Sequence, residues 1–149
     1  MSRPIAKSYW ALFIDGTNFK VQRRGSTEPE PSLVVLGIDG ANKRSILAIE
    51  PGFNDNAKCW ESVFISLKER GLNCDQVQIG VMDGLPGLEN KFKENFRNAI
   101  TGRCWKHALG NALLKTPARL REPFKKLSQK VMYANGEAAA RKAFCPNFR

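Results

Sequence analysis

The chain of 149 residues has the length of one domain, is 42% hydrophobic and carries a formal net charge of +10. No apolar run approaches the roughly 20 residues that span a bilayer, and the basic start MSRPIAKSYW lacks the apolar stretch of a secretory signal. These patterns argue against a membrane or secreted protein, so we expect the chain in the cytoplasm.

The strong basic balance indicates the class of partner. Lys and Arg number 24 against 14 Asp and Glu, and the isoelectric point is about 9.8. Such a charge favours a polyanionic partner, most often nucleic acid, although solubility alone also explains it. The four cysteines form no CxxC pair and no evident disulfide framework, so we expect reduced thiols.

Three strands are predicted in the first third of the chain, at residues 9–14, 32–38 and 45–50. The segment QRRGSTEPEPS between the first two is rich in Gly, Ser, Pro and Glu, which predicts a solvated loop. Between the last two strands, Asp39-Gly40 opens a polar turn, which is a strong hairpin signal.

The rest of the chain alternates helical and extended patterns. Apolar residues at helical spacing predict helices over 56–70 and from Leu88 to Phe96, and apolar runs predict strands at 76–82 and 99–105. Three further helical segments follow: one from Trp105 to Leu113, one beginning at Thr116-Pro117 that Pro123 is expected to kink or interrupt, and one at 135–144.

This order predicts the fold class. Three sequential strands suggest an antiparallel meander, and the later strand–helix alternation suggests parallel crossover units. We therefore predict an α/β protein with a ribonuclease H-like mixed sheet flanked by helices.

Two aspartates follow apolar runs in this predicted sheet. Asp15 ends the first predicted strand and Asp83 ends the fourth. These two strands are neighbours in such a fold. Two carboxylates held close together repel each other unless a cation lies between them. Mg²⁺ or Mn²⁺ favours such oxygen ligands, and two ions about 4 Å apart would suit phosphoryl transfer. The alternative is that each Asp-Gly pair is a simple turn, as we expect for Asp39-Gly40.

Several motifs in order support the first interpretation. The stretches FIDGTNFKV, VMDGLPGL and GRCWKHALGN, spread over residues 10–115, resemble the mutator-type transposases of insertion sequences. The resemblance implies a DDE enzyme that cuts DNA at element ends and joins the strands to target DNA. It implies Asp15 and Asp83 as catalytic acids that hold Mg²⁺ or Mn²⁺, and His107 as an auxiliary catalytic residue.

The signature that carries His107 also contains Cys104, in the order Cys-x-x-His. These two residues do not make a structural zinc site, which needs four ligands. We expect a structural or substrate-orienting role for the pair.

The resemblance is incomplete at both ends. The third acid of the family, a Glu on a late helix, has no match here, and Glu137 matches a different segment of the family pattern. We expect an incomplete catalytic core at residues 1–115 and the start of a helical insertion domain at 116–149. Strand transfer by this chain alone is expected to be weak or absent, and apolar surface from Phe13, Val34 or Leu36 is expected to promote association.

Basic residues predict contact with DNA phosphates. They occur at Lys20, Arg23 and Arg24, and again between Arg97 and Lys130, where a solvated helix face is the alternative. We expect DNA as the partner, with nucleoid association when it is bound, and a homo-oligomer in the intact enzyme.

Two alternatives stay open: a non-catalytic DNA-binding remnant, and a small nuclease that takes its third acid from Glu50 or Glu61.

Overall fold

The computed structural model describes residues 3–23, 25–51 and 57–144. In chain order, the elements of these residues are β1 (Tyr9–Arg23), β2 (Ser26–Asp39), β3 (Arg44–Pro51), α1 (Ala57–Glu69), a 3-10 turn (Cys74–Gln76), β4 (Ile79–Met82), α2 (Pro86–Asn95), β5 (Ile100–Arg103), α3 (Trp105–Lys115), α4 (Ala118–Met132) and α5 (Glu137–Phe144).

The five strands form one mixed sheet in the order β3-β2-β1-β4-β5. β1 pairs antiparallel with β2, and β2 pairs antiparallel with β3. β1 pairs parallel with β4, and β4 pairs parallel with β5. An antiparallel meander that continues into parallel crossover strands is the predicted ribonuclease H-like arrangement, and the fold class is confirmed.

Helices α1 and α2 cover one face of this sheet. Leu12 and Ile14 of β1 lie on that face and are almost fully buried, as are Phe64 of α1 and Phe92 of α2. The Phe64 and Phe92 rings pack edge to face with centroids 6.0 Å apart, and Phe92 stacks on Phe96 at 4.6 Å. Burial of these rings away from water is the main force that holds the helices on the sheet.

The opposite face of the sheet carries apolar side chains that remain accessible. Phe13 is 40% exposed, Ile46 63% and Ile49 48%, whereas Val34 and Leu36 are half-buried. Since side chains alternate between the two faces of a strand, Phe13 lies on the side opposite Leu12 and Ile14. The expected apolar exposure is therefore seen at Phe13 and is only partial at Val34 and Leu36.

The first connection differs from its prediction. The segment expected to be a loop continues β1 and β2 as a two-stranded ribbon, in which Thr17 pairs with Ser32 and Gln22 with Thr27. The prediction of a loop was wrong because local composition favours a loop, whereas the ladder of backbone hydrogen bonds between two chain segments favours strands. The consequence for Asp15 is that it lies within β1 and does not end it.

The turn between β2 and β3 is confirmed. The Asp39 carboxylate accepts hydrogen bonds from the backbone N–H groups of Ala41 at 3.0 Å and Lys43 at 2.9 Å. Lys7 Nζ lies 3.2 Å from the second carboxylate oxygen. The Lys43 N–H first, and then Lys7 and the Ala41 N–H, hold the pKa of Asp39 below its ordinary value against the opposing effect of burial. Asp39 is therefore a structural residue of the turn.

The chain divides into two compact units, Met1–Arg103 and Cys104–Arg149. The second unit contains α3, α4 and α5, with α4 packed against both of the others. α4 continues through Pro123, so the expected interruption is absent and the helix is one segment. The predicted limit of the catalytic core at residue 115 concerns function and stays a prediction.

Candidate active site

The shared register of β1 and β4 aligns the two aspartates. Ala11 pairs with Ile79 and Phe13 with Val81 in this parallel ladder. The ladder ends there, and the same register continued by two residues sets Asp83 opposite Asp15. Neighbouring strands lie about 4.8 Å apart, so the two aspartates come from adjacent strands, close to the point where β4 ends.

Asp83 is held by its own turn. The backbone N–H of Leu85 donates to Oδ1 of Asp83 at 3.2 Å, and Gly84 between them has a φ of +92°. This left-handed backbone favours glycine and lets the chain reverse directly after the aspartate. The backbone therefore orients the half-buried Asp83 carboxylate through Oδ1. Its second oxygen, Oδ2, accepts no hydrogen bond from the residues that the structure describes.

Asp15 lies on the side of β1 opposite the one that α1 and α2 cover. Its partner on β2 is Val34, and its side chain is exposed. A carboxylate is tolerated in the middle of this strand because its side chain is exposed, so the charge stays in contact with water.

A cleft of about 210 Å³ adjoins the Asp83 turn. Its walls come from the end of β4, the first turn of α2 and the end of β5, and its lining residues are Met82, Gly84, Glu89, Thr101, Gly102 and Arg103. Arg103 lies directly over Gly84, where a side-chain carbon would be only 3.0 Å from Nε of the arginine.

Glu89 is the acid inside this cleft, and it is already engaged. Lys93 Nζ donates to its Oε1 at 2.6 Å and Thr101 Oγ1 at 2.8 Å. These two hydrogen bonds, together with the Lys93 charge, lower the pKa of Glu89 from its ordinary value. The Thr101 contact joins α2 to β5.

The nuclease alternative required a third acid from Glu50 or Glu61. Glu61 lies on α1 with Lys91 Nζ at 3.6 Å, whereas Glu50 lies on β3, two strands away from β1. Within residues 3–23, 25–51 and 57–144, no three His, Cys, Asp or Glu side chains form a cluster that would hold a metal ion. The structure therefore gives this alternative no support.

His107 and Cys104 belong to the second unit. Cys104 precedes α3 in an extended conformation, and its carbonyl accepts the backbone N–H of Ala108 at 3.0 Å. His107 lies in the first turn of α3 and is half-buried. The auxiliary catalytic role of His107 stays a prediction.

Basic side chains are exposed along α4. Arg119, Lys125, Lys126 and Lys130 lie on its accessible surface, and Arg121 donates to the Thr116 carbonyl at 3.0 Å. Arg24 lies outside the described residues.

No helix among the described residues combines the length and apolar character needed to cross a membrane.

Sequence reasoning missed the contact of Arg103 with Gly84. The one available signal was that Arg103 directly precedes the Cys-x-x-His signature, while Gly84 directly follows Asp83. Nothing in either local pattern indicates that the two residues meet, because β4 and β5 become neighbours only in the sheet.

The family model described as "Transposase, Mutator family" matches residues 1–148. The chain belongs to the Mutator family of transposases. The resemblance on which the sequence interpretation relied is thus confirmed.

Curated relatives are transposases of bacterial insertion sequences. The chain is 31% identical over 112 residues to the transposase for insertion sequence element IS6120 of Mycolicibacterium smegmatis, covering 75% of this chain and 33% of the relative. It is 31% identical over 113 residues to that for IS905 of Lactococcus lactis, covering 76% and 28%. For ISRM5 of Rhizobium meliloti the identity is 30% over 117 residues, covering 78% and 29%. The chain thus spans about a third or less of the length of these relatives.

Among solved structures, the chain is similar to the Drosophila P element transposase strand transfer complex. The TM-score is 0.42 at 9% sequence identity, and the match covers 69% of this chain and 28% of that one.

Proposed function

We propose that this Mutator-family chain carries the first two catalytic acids of a DDE transposase, which cuts DNA at element ends and transfers the strands to target DNA. The observation that supports the proposal is the parallel register of β1 and β4, in which Phe13 pairs with Val81, two residues before each aspartate. Two aspartates from distant parts of the chain on neighbouring strands suit a shared cation better than two unrelated turns.

Asp15 and Asp83 would hold Mg²⁺ or Mn²⁺. Their carboxylate oxygens are the hard donors that these ions prefer. The Leu85 N–H orients the Asp83 carboxylate in advance, which reduces the ordering that binding would require. When bound, such ions stabilise the attacking and leaving oxygens of a phosphodiester displacement.

DNA is the proposed substrate and partner, with a homo-oligomer as the proposed state of the intact enzyme. The exposed lysines and arginines of α4 support DNA contact, because phosphate binding depends mainly on such charges. His107 would assist by ordering the substrate strand.

Cation binding tests the proposal more directly than strand transfer, which in this family also needs the third acid. Mn²⁺ titrated into the purified chain should bind with a saturable heat signal. Asp15→Asn and Asp83→Asn should each abolish it, whereas Asp75→Asn, which removes an exposed aspartate from the 3-10 turn, should not. Absence of Mn²⁺ binding by the wild type, or binding that survives both substitutions, would refute the metal site.

A second candidate is a non-catalytic DNA-binding remnant of such an enzyme. The exposed basic residues of α4 favour it as well. It predicts salt-dependent DNA binding without Mn²⁺ binding, so the same titration separates the two candidates. Nicking of supercoiled plasmid that needs both Asp15 and Asp83 would exclude the remnant.

A further inference from the structure

A cleft of about 330 Å³ lies beside the start of β1, at a distance from the two aspartates. Its walls come from the segment 3–7, from the first half of β3 and from Arg70, which follows the last turn of α1. Tyr9, the first residue of β1, also lines it, and Asp15 lies roughly 20 Å further along that strand at about 3.3 Å per residue. The cleft is therefore separate from the candidate active site.

The guanidinium of Arg70 is fixed at this cleft by backbone carbonyls. Its Nε donates to the Arg3 carbonyl at 2.8 Å, and its Nη1 donates to the Leu47 carbonyl at 2.6 Å. The Arg70 carbonyl in turn accepts the N–H of Ile5 at 2.7 Å. These hydrogen bonds orient the guanidinium before any ligand arrives, and the N–H groups of Nη2 have no partner among the described residues.

The positive charge of Arg70 has no acidic partner in the described part of the chain. Arg70 is half-buried, and its two contacts are carbonyl oxygens, which carry only partial charge. A half-buried cation loses part of its hydration, and an opposite charge is the usual compensation. No Asp or Glu occurs among the described residues that line the cleft. An anion from outside the chain would supply that compensation.

Two further cations line the same cleft. Arg3 is exposed, and its side chain makes no hydrogen bond or ion pair with any described residue. Lys7 Nζ lies 3.2 Å from the Asp39 carboxylate, which engages one of the three N–H donors of a lysine. Ser45, which has a hydroxyl donor, lines the cleft as well. With three cations and one neighbouring acid, the cleft carries a net positive charge.

We propose that Arg3, Lys7 and Arg70 bind a phosphate group in this cleft. A guanidinium presents planar N–H donors whose spacing matches two oxygens of a phosphate. A phosphate suits three cations better than a carboxylate does, because its oxygens point in several directions from one centre. Inorganic phosphate, a nucleotide and the DNA backbone all carry this group. The DNA backbone as the source rests on the proposed function, whereas the phosphate site itself does not.

Chemical protection of the wild-type chain tests the site without any substitution. Phenylglyoxal modifies accessible arginines, and peptide mass spectrometry reports the rate at each one. Inorganic phosphate, compared with sodium chloride at equal ionic strength, should slow the modification of Arg3 several-fold. Arg44 is the internal comparison, because it is exposed on β3 and does not line the cleft. An unchanged rate at Arg3, or equal protection of Arg44, would overturn the proposal.

Titration calorimetry with inorganic phosphate measures the affinity directly. Arg3→Gln should weaken binding about fivefold, the effect of one lost hydrogen bond, and it leaves in place the carbonyl that accepts from Arg70. Lys68→Gln is the matched control, since Lys68 is exposed and its Nζ turns towards α2, 2.7 Å from Asn95 Oδ1. It should bind phosphate as the wild type does. Equal weakening by both substitutions would mean that net charge attracts phosphate without this cleft, and the proposal would be wrong.

A short DNA duplex of random sequence identifies the source of the phosphate. If the duplex protects Arg3 and Arg3→Gln reduces the slope of log K against log salt by about 0.9, the site binds the DNA backbone. If the duplex binds without protecting Arg3, the site takes free phosphate or a nucleotide. A wild-type chain that binds inorganic phosphate but no DNA would refute DNA as the partner in the proposed function, and the phosphate site would stand.

Discussion

The ring of Phe92 lies against the backbone of Gly80, where any side-chain carbon would overlap the ring. Phe92 is fully buried and belongs to α2, whereas Gly80 lies in β4. This contact seats α2 on the strand that leads to Asp83, so it links the packing of the core to the candidate site.

Gly80→Ala should destabilise the protein by about 1–3 kcal/mol, because the added methyl group forces Phe92 out of its place in a packed core. The free energy of unfolding from urea denaturation measures the change. Gly87→Ala is the control, since Gly87 lies in α2 with no atom within 4 Å of an added carbon. It should be neutral or stabilise by up to about 1 kcal/mol. Equal stability of the two variants would show that Phe92 does not occupy the space beside Gly80.

Asp39→Asn should reduce the acid sensitivity of the fold. The pKa of the Asp39 carboxyl is lower in the folded chain than its ordinary value, chiefly because the Lys43 N–H donates to it. The stabilisation by Asp39 is therefore complete above the unfolded-state pKa of about 3.9 and is lost as the pH falls through the lower folded-state pKa.

Thermal unfolding of both proteins at a series of pH values measures this effect. The wild-type melting temperature should fall more steeply below about pH 4 than that of Asp39→Asn. A Glu69→Gln variant, which removes an exposed charge from the end of α1, provides the control for altered net charge. Parallel pH profiles for wild type and Asp39→Asn would contradict the prediction.

The accessible apolar face of the sheet should promote association. Phe13, Ile46 and Ile49 are 40–63% exposed, and exposed apolar area of this kind favours contact with other molecules. Ile46→Thr and Ile49→Thr together should lower the average mass seen by sedimentation, since threonine suits a strand and is less apolar.

Ile65→Thr serves as the comparison, because Ile65 is 46% exposed on α1, away from this face. It should leave association unchanged. A wild-type chain that sediments as a single monomeric species at every concentration would contradict the prediction.

Local chemistry in the sequence determined several elements of this protein. The turn at Asp39 follows from a carboxylate that accepts N–H groups two and four residues later, which is a short-range interaction. Helix α1 follows from apolar residues at helical spacing, and the succession of strands and helices along the chain follows from the order of the patterns. Family membership was also readable, because motifs such as FIDGTNFKV and VMDGLPGL preserve their order along the chain.

Only the tertiary structure decided the features that depend on pairing between distant segments. The ribbon at the ends of β1 and β2 has the composition of a loop and exists because two strands share backbone hydrogen bonds. The contact of Arg103 with Gly84 arises because β5 lies beside β4 in the sheet. The pairing of Phe13 with Val81, two residues before each aspartate, depends on strand register, and a shift of one residue would turn one strand's side chains to the opposite face.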